Sequence, residues 1–212
     1  MHRWLTVCRS KRVLASVVVV VLTLIFFGLA DEAHEREIFD IDHAVQNSVQ
    51  TWRQAALEGP MRTLSDMGSG KVLVPLSLGV ATILWLRRYR DALVVPITGA
   101  TGVTIEGLAK WIVDRPRPKN VGYGFPSGHV LGVVVVFGLL IYIAWKVKMH
   151  PVWSCLTTAT GMLVVIGVAF SRLYLNAHWL SDVVGAGVAG VALVLGALLC
   201  RDGRFCERAS AG

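Results

Sequence analysis

Long apolar stretches separated by short charged segments dominate the chain. A helix that crosses a bilayer needs about 20 apolar residues. Stretches of roughly that length run over Val13–Ala30, Val72–Leu86, Ala92–Val113, Val130–Trp145, Val152–Phe170 and Leu180–Cys200. No alternation of apolar and polar residues typical of strands competes with them. The pattern predicts an all-α integral membrane bundle of six transmembrane helices, formed as a single domain over residues 1–212.

Composition supports a membrane protein. The chain has 212 residues, of which 54% are hydrophobic and only 17% are charged, and its mean hydropathy is +0.59. A soluble domain carries roughly 25% charged residues. Because this excess of apolar residues could not all be buried in a core of this size, the composition excludes a water-soluble monomer. It equally excludes a disordered chain, whose signature is low hydrophobicity.

The distribution of charge predicts the orientation in the membrane. Twelve Lys and Arg residues gather at one set of span ends: Arg3, Arg9, Lys11, Arg12, Arg87, Arg88, Arg90, Lys146, Lys148, Arg201, Arg204 and Arg208. Against them stand Asp91, Asp202 and Glu207, whereas the first loop on the other side is acidic from Asp31 to Asp42. Basic loops stay in the cytoplasm. Both termini are therefore predicted to be cytoplasmic, in the plasma (inner) membrane, and the net charge of +7 is explained without nucleic acid.

Two segments have alternative interpretations. The basic start and the apolar run Val13–Ala30 resemble a cleavable signal peptide, although the run is longer than the usual signal core of roughly 7–15 residues. A retained helix is the preferred interpretation. The stretch Ile38–Leu64 predicts either an interfacial amphipathic helix over the external ends or a plain connecting helix.

One loop on the predicted external side is basic, against the orientation rule. It contains Lys110, Arg115, Arg117 and Lys119 but one acidic residue, Asp114. Arginine offers a planar fork to two oxygens of a phosphate, and lysine adds a point charge. The loop therefore indicates an anion site, with a solvated basic loop as the alternative.

The segment after this loop suits the start of a helix. Ser127 is a good N-cap, Gly128 allows a ligand to approach the backbone, and His129 follows in the first turn. The free amides of a first turn bind anions. An ordinary cap with an interfacial histidine is the alternative.

A third cluster precedes the last span. It contains Arg172, His178 and Asp182, and Asn176 is a candidate N-cap that would place His178 in the first helical turn. Residues four apart share a helix face, so Asp182 can orient one imidazole nitrogen and leave the other as a nucleophile or base. The alternative, a structural pair, fits poorly because ionisable residues at membrane depth are usually functional.

Together the three clusters resemble the signature of the type 2 phosphatidic acid phosphatase (PAP2) superfamily. The matching residues are Lys110 followed after six residues by Arg117-Pro118, then Pro126-Ser127-Gly128-His129, then Ser171-Arg172 followed by His178 and Asp182. All three parts match, in order and on one predicted face. The superfamily includes lipid phosphate phosphatases, bacterial polyprenyl-diphosphate phosphatases and soluble vanadium haloperoxidases.

The resemblance implies a role for each residue. His178 would attack phosphorus, Asp182 would orient it, and His129 would protonate the leaving oxygen and later activate water. The phosphoryl oxygens would be held by Lys110, Arg117, Ser127, Gly128 and Arg172. No cofactor is implied, and the spacing of acidic, His and Cys residues indicates no metal site.

Three neighbouring charges lie outside the motif. Glu106 lies four residues before Lys110 and is predicted to pair with it and aim the amine. A direct contact of Glu106 with substrate is the less favoured alternative. Arg115 and Lys119 are interpreted either as outer charges that attract anionic headgroups or as a solvated loop.

The resemblance implies a metal-independent lipid phosphate or diphosphate phosphatase that acts at the external membrane face through a phosphohistidine. We favour undecaprenyl diphosphate as substrate; phosphatidylglycerol phosphate, phosphatidic acid and lipid A phosphate are alternatives. A lipid phosphotransferase would use the same site, and a transporter or channel could also have six spans. The expected partners are the bilayer and the lipid substrate, and the oligomeric state stays open.

Overall fold

The computed structural model describes residues 2–35, 38–89, 92–119 and 122–210; Glu37, Arg90 and Asp91 lie outside these ranges. The described residues form eight α-helices. They are α1 (His2–His34), α2 (Asp40–Thr51), α3 (Ala55–Asp66), α4 (Gly70–Leu86), α5 (Val94–Val113), α6 (Gly128–Lys146), α7 (Pro151–Tyr174) and α8 (Leu180–Ser210). The prediction of an all-α bundle is confirmed.

Five stretches of the described residues are long and apolar enough to cross a membrane. They are Ser10–His34, Ala55–Leu86, Gly128–Lys146, Pro151–Tyr174 and Leu180–Arg201. Helix α5, which coincides with the third predicted span, is not among them, because Glu106 and Lys110 lower its hydropathy. The number of six spans and the cytoplasmic position of the termini therefore stay predictions.

Helix α6 lies at the centre of the bundle and contacts α4, α5, α7 and α8, while α1 packs along α8. Its side chains Val133, Val135 and Leu139 are buried. The contact with α8 is close at Gly190, where a Cβ atom would lie 2.6 Å from Val134 Cγ1. Because the fit leaves no room for a side chain, glycine allows these two helices to approach each other.

The outer faces of the helices are apolar. Leu14 and Phe27 on α1, Ile97 on α5 and Leu163 on α7 are among the exposed large hydrophobic side chains. In water such a surface would be unfavourable, whereas lipid tails solvate it. The outside of the bundle therefore suits a bilayer.

The segment after α1 forms two short helices instead of the single helix expected over Ile38–Leu64. Helix α2 packs on α7 and α8, and α3 packs on α7. The Gln50 side chain donates hydrogen bonds to the backbone oxygens of Leu173 and Tyr174 at 3.3 and 3.2 Å. These contacts hold α2 across the ends of α7 and α8, where the candidate site lies.

Candidate active site

A single cavity of about 520 Å³ joins the three predicted clusters. Its polar end is lined by charged and titratable side chains: Glu106, Lys110, Arg117, His129, Arg172 and His178. They come from α5, α6, α7 and the connections before α6 and α8. The two histidines, which are far apart in sequence, thus line the same space.

Glu106 and Lys110 form the ion pair that their spacing predicts. The Glu106 carboxylate accepts a hydrogen bond from Lys110 Nζ, and both side chains are about one-fifth exposed. Gly128 packs directly on Glu106, and a Cβ atom at Gly128 would overlap the Glu106 carboxylate. Glycine at this position therefore leaves room for Glu106 to reach Lys110.

The connection between α5 and α6 folds back on itself and presents Arg117. Helix α5 ends at Val113, and the next residue, Asp114, has the left-handed conformation, with φ 47°. An isolated antiparallel bridge then pairs Pro116 with Tyr123. The Tyr123 backbone oxygen accepts a hydrogen bond of 2.8 Å from Arg117 Nε. The fold of this loop therefore fixes one edge of the Arg117 guanidinium at the cavity.

Helix α6 begins at Gly128, with Ser127 at the N-cap position as predicted. The Ser127 side chain, however, makes no capping hydrogen bond. Its hydroxyl is buried and has no hydrogen-bond partner among the described residues. Ser127 N donates instead to the Asp182 backbone oxygen at 3.2 Å, which ties this turn to α8. The prediction that the Ser127 side chain caps α6 is thus wrong, and its hydroxyl is available for other hydrogen bonds.

Arg172, near the end of α7, is buried and lines the cavity. Its Nη1 atom donates to Ser65 Oγ on α3 at 2.5 Å. Its Nε atom has no hydrogen-bond partner among the described residues. Helix α3 therefore fixes one side of this guanidinium and leaves another donor unused.

His178 lies just before α8, which begins at Leu180. The expectation that Asn176 caps this helix is wrong: Asn176 has φ 54° and follows the end of α7. Nevertheless the predicted pair forms, with His178 Nδ1 at 3.2 Å from Asp182 Oδ2. The Trp179 backbone N–H donates to the same oxygen at 3.0 Å. With Nδ1 engaged, Nε2 is the ring nitrogen left for chemistry.

Burial lowers the pKa of His178 below the ordinary histidine value. The hydrogen bond and charge of Asp182 oppose this shift, and the cations Arg172 and Arg117 lower the pKa further. The imidazole is therefore uncharged near neutral pH, and a neutral imidazole can act as a nucleophile.

Within the described residues, no three His, Cys, Asp or Glu side chains lie close enough together to hold a metal ion. The donors that converge on the cavity are instead cationic side chains and imidazoles. Such a set has the chemistry that suits an oxyanion.

Comparison with known families decides what this arrangement is. The sequence model of the PAP2 superfamily matches residues 91–206, which is more than half of the chain and contains every motif residue of the cavity. The chain belongs to the PAP2 superfamily. The resemblance drawn from the motifs is thereby confirmed, as is the enzyme class, a membrane lipid phosphatase.

Individual relatives extend the match beyond the motifs. Phosphatidylglycerophosphatase B of Bacillus subtilis (strain 168) is 27% identical over 183 residues, covering 81% of this chain and 89% of that protein. YbjG of Escherichia coli (strain K12), provisionally named an undecaprenyl-diphosphatase, is 31% identical over 134 residues, covering 56% of this chain and 62% of that protein.

A solved structure has the same fold. The crystal structure of a transmembrane PAP2 type phosphatidylglycerolphosphate phosphatase from Bacillus subtilis superposes with a TM-score of 0.76. It covers 87% of this chain and 96% of its own, at 24% identity. The chain is thus a multi-pass integral membrane protein.

The other end of this PAP2 cavity is an apolar groove between α4, α5 and α6. Its lining includes Leu73, Val74 and Leu78 from α4, Gly99, Ala100 and Val103 from α5, and Leu131, Val135 and Val136 from α6. The cavity therefore connects a cationic cluster with a surface that suits a hydrocarbon chain.

The prediction that Arg115 is an outer charge is wrong. Its side chain is 1% exposed and forms ion pairs of 3.0 Å with both Asp42 and Asp182. Arg115 Nη1 also donates to Ser181 Oγ at 2.6 Å. Sequence analysis missed this pairing because Asp42 was one of many acids in the first loop. Lys119, by contrast, is exposed.

Other residues that position the site were also missed. Ser65 holds Arg172, the Tyr123 backbone oxygen holds Arg117, and Trp179 Nε1 donates to the Pro116 oxygen at 3.1 Å. None is a defining residue of the motifs: Pro116 and Trp179 occupy variable positions inside them, and Ser65 and Tyr123 lie outside. Only the three-dimensional arrangement reveals their contacts.

Proposed function

We propose that this PAP2 phosphatase hydrolyses a lipid phosphate or diphosphate through a phosphohistidine on His178, without a metal ion. The observation that carries the proposal is the single cavity that places His129 and His178 among three cations and continues into an apolar groove. The polar end suits a phosphoryl group, and the groove suits part of its lipid.

In the first step, the Nε2 lone pair of His178 attacks phosphorus. A nitrogen–phosphorus bond forms as the bond between phosphorus and the leaving oxygen breaks. Protonated His129 gives its proton to that oxygen, so that the leaving alcohol or phosphate departs with the electron pair of the broken bond. Asp182, bonded to Nδ1 of His178, stabilises the positive charge that develops on the ring.

In the second step, water replaces the histidine. His129, now neutral, accepts a proton from water as the water oxygen bonds to phosphorus. The nitrogen–phosphorus bond breaks, and its electron pair returns to His178 Nε2. Inorganic phosphate leaves, and both histidines regain their starting protonation states.

The transition state in each step carries negative charge on the equatorial oxygens, which Lys110, Arg117 and Arg172 would hold; all three line the cavity. The unused donors support this role. Arg172 Nε and the Ser127 hydroxyl are buried without hydrogen-bond partners among the described residues. Phosphoryl oxygens would satisfy both, and the backbone N–H of Gly128 in the first turn of α6 would donate to the same group.

Two substrates are suggested by the names of relatives. The Escherichia coli relative agrees with our preferred substrate, undecaprenyl diphosphate, and the Bacillus subtilis relative indicates phosphatidylglycerol phosphate. Phosphatidic acid and lipid A phosphate also present a phosphate at the membrane surface. The distribution of charged loops supports a site on the external side of the membrane.

Phosphate release from a panel of these four lipids tests the proposal, with His178→Ala as the blank. We expect free phosphate from at least one lipid in the absence of any acceptor, and none from the variant, provided that the variant elutes as a folded protein in detergent. Release that needs an acceptor lipid would identify a phosphotransferase. Equal turnover by His178→Ala would exclude the mechanism.

A further inference from the structure

Two buried charges that are not motif residues, Arg115 and Asp42, extend from the motif residue Asp182 away from the cavity. Arg115 lies between two carboxylates, Asp42 on α2 and Asp182 on α8, at 3.0 Å from each. All three side chains are at most 1% exposed. Breaking a buried ion pair is strongly unfavourable, so each charge in this chain depends on its neighbour.

The hydrogen bonds of Asp182 divide between its two oxygens. Oδ1 accepts a hydrogen bond from Arg115 Nη1. Oδ2 accepts one from the Trp179 backbone N–H and also lies within hydrogen-bond distance of His178 Nδ1. Because both oxygens have fixed partners, the carboxylate cannot rotate without losing a bond. Arg115 therefore fixes the plane of the group that orients His178.

Asp42 fixes Arg115 in turn and joins it to the start of α8. One oxygen of Asp42 accepts from the Ser181 backbone N–H at 2.8 Å. The other accepts from Ser181 Oγ at 2.6 Å and from Arg115 Nη2 at 3.0 Å. Asp42 is thus held by a first-turn amide of α8 and by the cation that bonds Asp182.

We infer that Asp42 and Arg115 are positioning residues for the proposed phosphohistidine chemistry, acting on His178 through Asp182. Neither lines the cavity, so neither contacts the phosphoryl group. Their effect is on the orientation and proton affinity of the imidazole. This inference rests on the proposed function for its kinetic consequence, but the charge coupling can be measured without turnover.

The coupling predicts shifts of opposite sign. Asp42→Asn leaves the Arg115 charge less compensated, which disfavours the His178 imidazolium and lowers its pKa. Arg115→Met leaves two carboxylates without their cation, which favours the imidazolium and raises the pKa of His178. A purely structural role would not reverse the sign between the two variants.

Other groups around His178 stay constant in both variants. They are Asp182 on α8, Arg172 on α7, His129 on α6, Arg117 before α6, Glu106 and Lys110 on α5, and His43 on α2, whose ring contacts Trp179. A change in the titration of His178 is therefore assigned to the substituted charge.

The test is an NMR titration of the histidine rings in detergent, with the His178 signal assigned from its loss in His178→Ala. We expect the His178 titration to move to lower pH in Asp42→Asn and to higher pH in Arg115→Met. Asp40→Asn, an exposed position on the same helix, and Arg62→Met, an exposed arginine on α3, are the matched controls and should cause no shift. Shifts no larger than those of the controls, or of the same sign, would overturn the inference.

Kinetics add a second readout. We expect kcat to fall about tenfold or more in each variant with little change in KM, as for the outer partners of metal-bound histidines. If Arg115→Met does not elute as a single folded species, Asp42→Asn decides alone, and an unchanged His178 titration then overturns the inference. If the wild type releases no phosphate from any lipid while the opposite shifts are present, the proposed function fails and the coupling stands.

Discussion

The side chains at the polar and apolar ends of the cavity are held in place in different ways. At the polar end, Lys110, Arg117, Arg172 and His178 each have a partner that fixes one edge of the group. At the apolar end, helices α4, α5 and α6 present aliphatic side chains and small residues without directional bonds. The first arrangement suits a defined charge distribution, and the second suits chains of variable length. Substitutions at the two ends should therefore have separable effects.

The largest of these effects is expected at the polar end. Arg172→Met removes a donor from the transition state, and the loss of one such donor costs roughly 10²–10³ in rate. We expect kcat/KM to fall by about that factor for every substrate, whether its chain is long or short. Phosphate release measured with a long-chain and a short-chain lipid phosphate checks this.

Arg62→Met is the matched control, since Arg62 is exposed and pairs only loosely with Glu58, at 3.7 Å. It should retain wild-type activity. A loss in Arg172→Met that was confined to the long-chain substrate would contradict the assignment of Arg172 to the phosphoryl group.

A smaller and selective effect is expected at the apolar end. Gly99 lines the groove, and apart from the adjoining residues and nearby backbone of its own helix nothing lies within 4 Å of the position that a Cβ atom would occupy. Gly99→Phe should fold and fill this space. We expect KM to rise about tenfold for the long-chain substrate, which corresponds to about 1.4 kcal/mol, and to stay unchanged for the short-chain one.

Gly79→Phe on α4 provides the control, because Gly79 is equally open but does not line the cavity. Both kinetic constants should be those of the wild type. An equal rise in KM for both chain lengths in Gly99→Phe would show that the groove does not hold the lipid.

A smaller effect is expected in the pH dependence of kcat/KM, where His178 at the polar end sets the acid limb. Because burial lowers the pKa of His178, the reactive neutral imidazole persists on acidification until the pH falls below that lowered value. The acid limb of kcat/KM, which reports the free enzyme, should therefore lie below about 6.5, the ordinary histidine value. An acid limb above that value would contradict this prediction, because it would mean that the charge of Asp182 outweighs burial in setting the pKa of His178.

The smallest effect is expected from a chelator. The proposed chemistry uses imidazoles and cationic side chains alone, so incubation with EDTA should leave phosphate release essentially unchanged. Re-addition of Mg²⁺ is the control. Activity that is lost with EDTA and restored by the metal would exclude the metal-independent mechanism.

Sequence reasoning succeeded where function depends on local spacing. The separation of four residues predicts both the Glu106–Lys110 pair and the contact of His178 with Asp182, and both form. The apolar runs likewise predicted the helices, because bilayer thickness limits their length. The span prediction is not confirmed for α5, because the charged residues of this helix line the cavity and lower the hydropathy on which the prediction rests.

Contacts between residues that are distant in sequence were not predicted. Asp42 lies 73 residues before Arg115, and Ser65 lies 107 residues before Arg172. A basic residue in a basic loop carries no local sign that an acid from another helix will bury it. The prediction that Arg115 is an outer charge was therefore wrong, whereas its neighbour Arg117 lines the cavity.

The most direct test of the central claim is to trap the covalent intermediate. Lipid phosphate labelled with ³²P in its terminal phosphoryl group is mixed with the enzyme, quenched in alkali to preserve phosphohistidine, and digested for peptide mapping. We predict label on the peptide that contains His178 in the wild type, and none in His178→Ala. Label on any other residue, or rapid turnover without a labelled protein under conditions that preserve phosphohistidine, would contradict it.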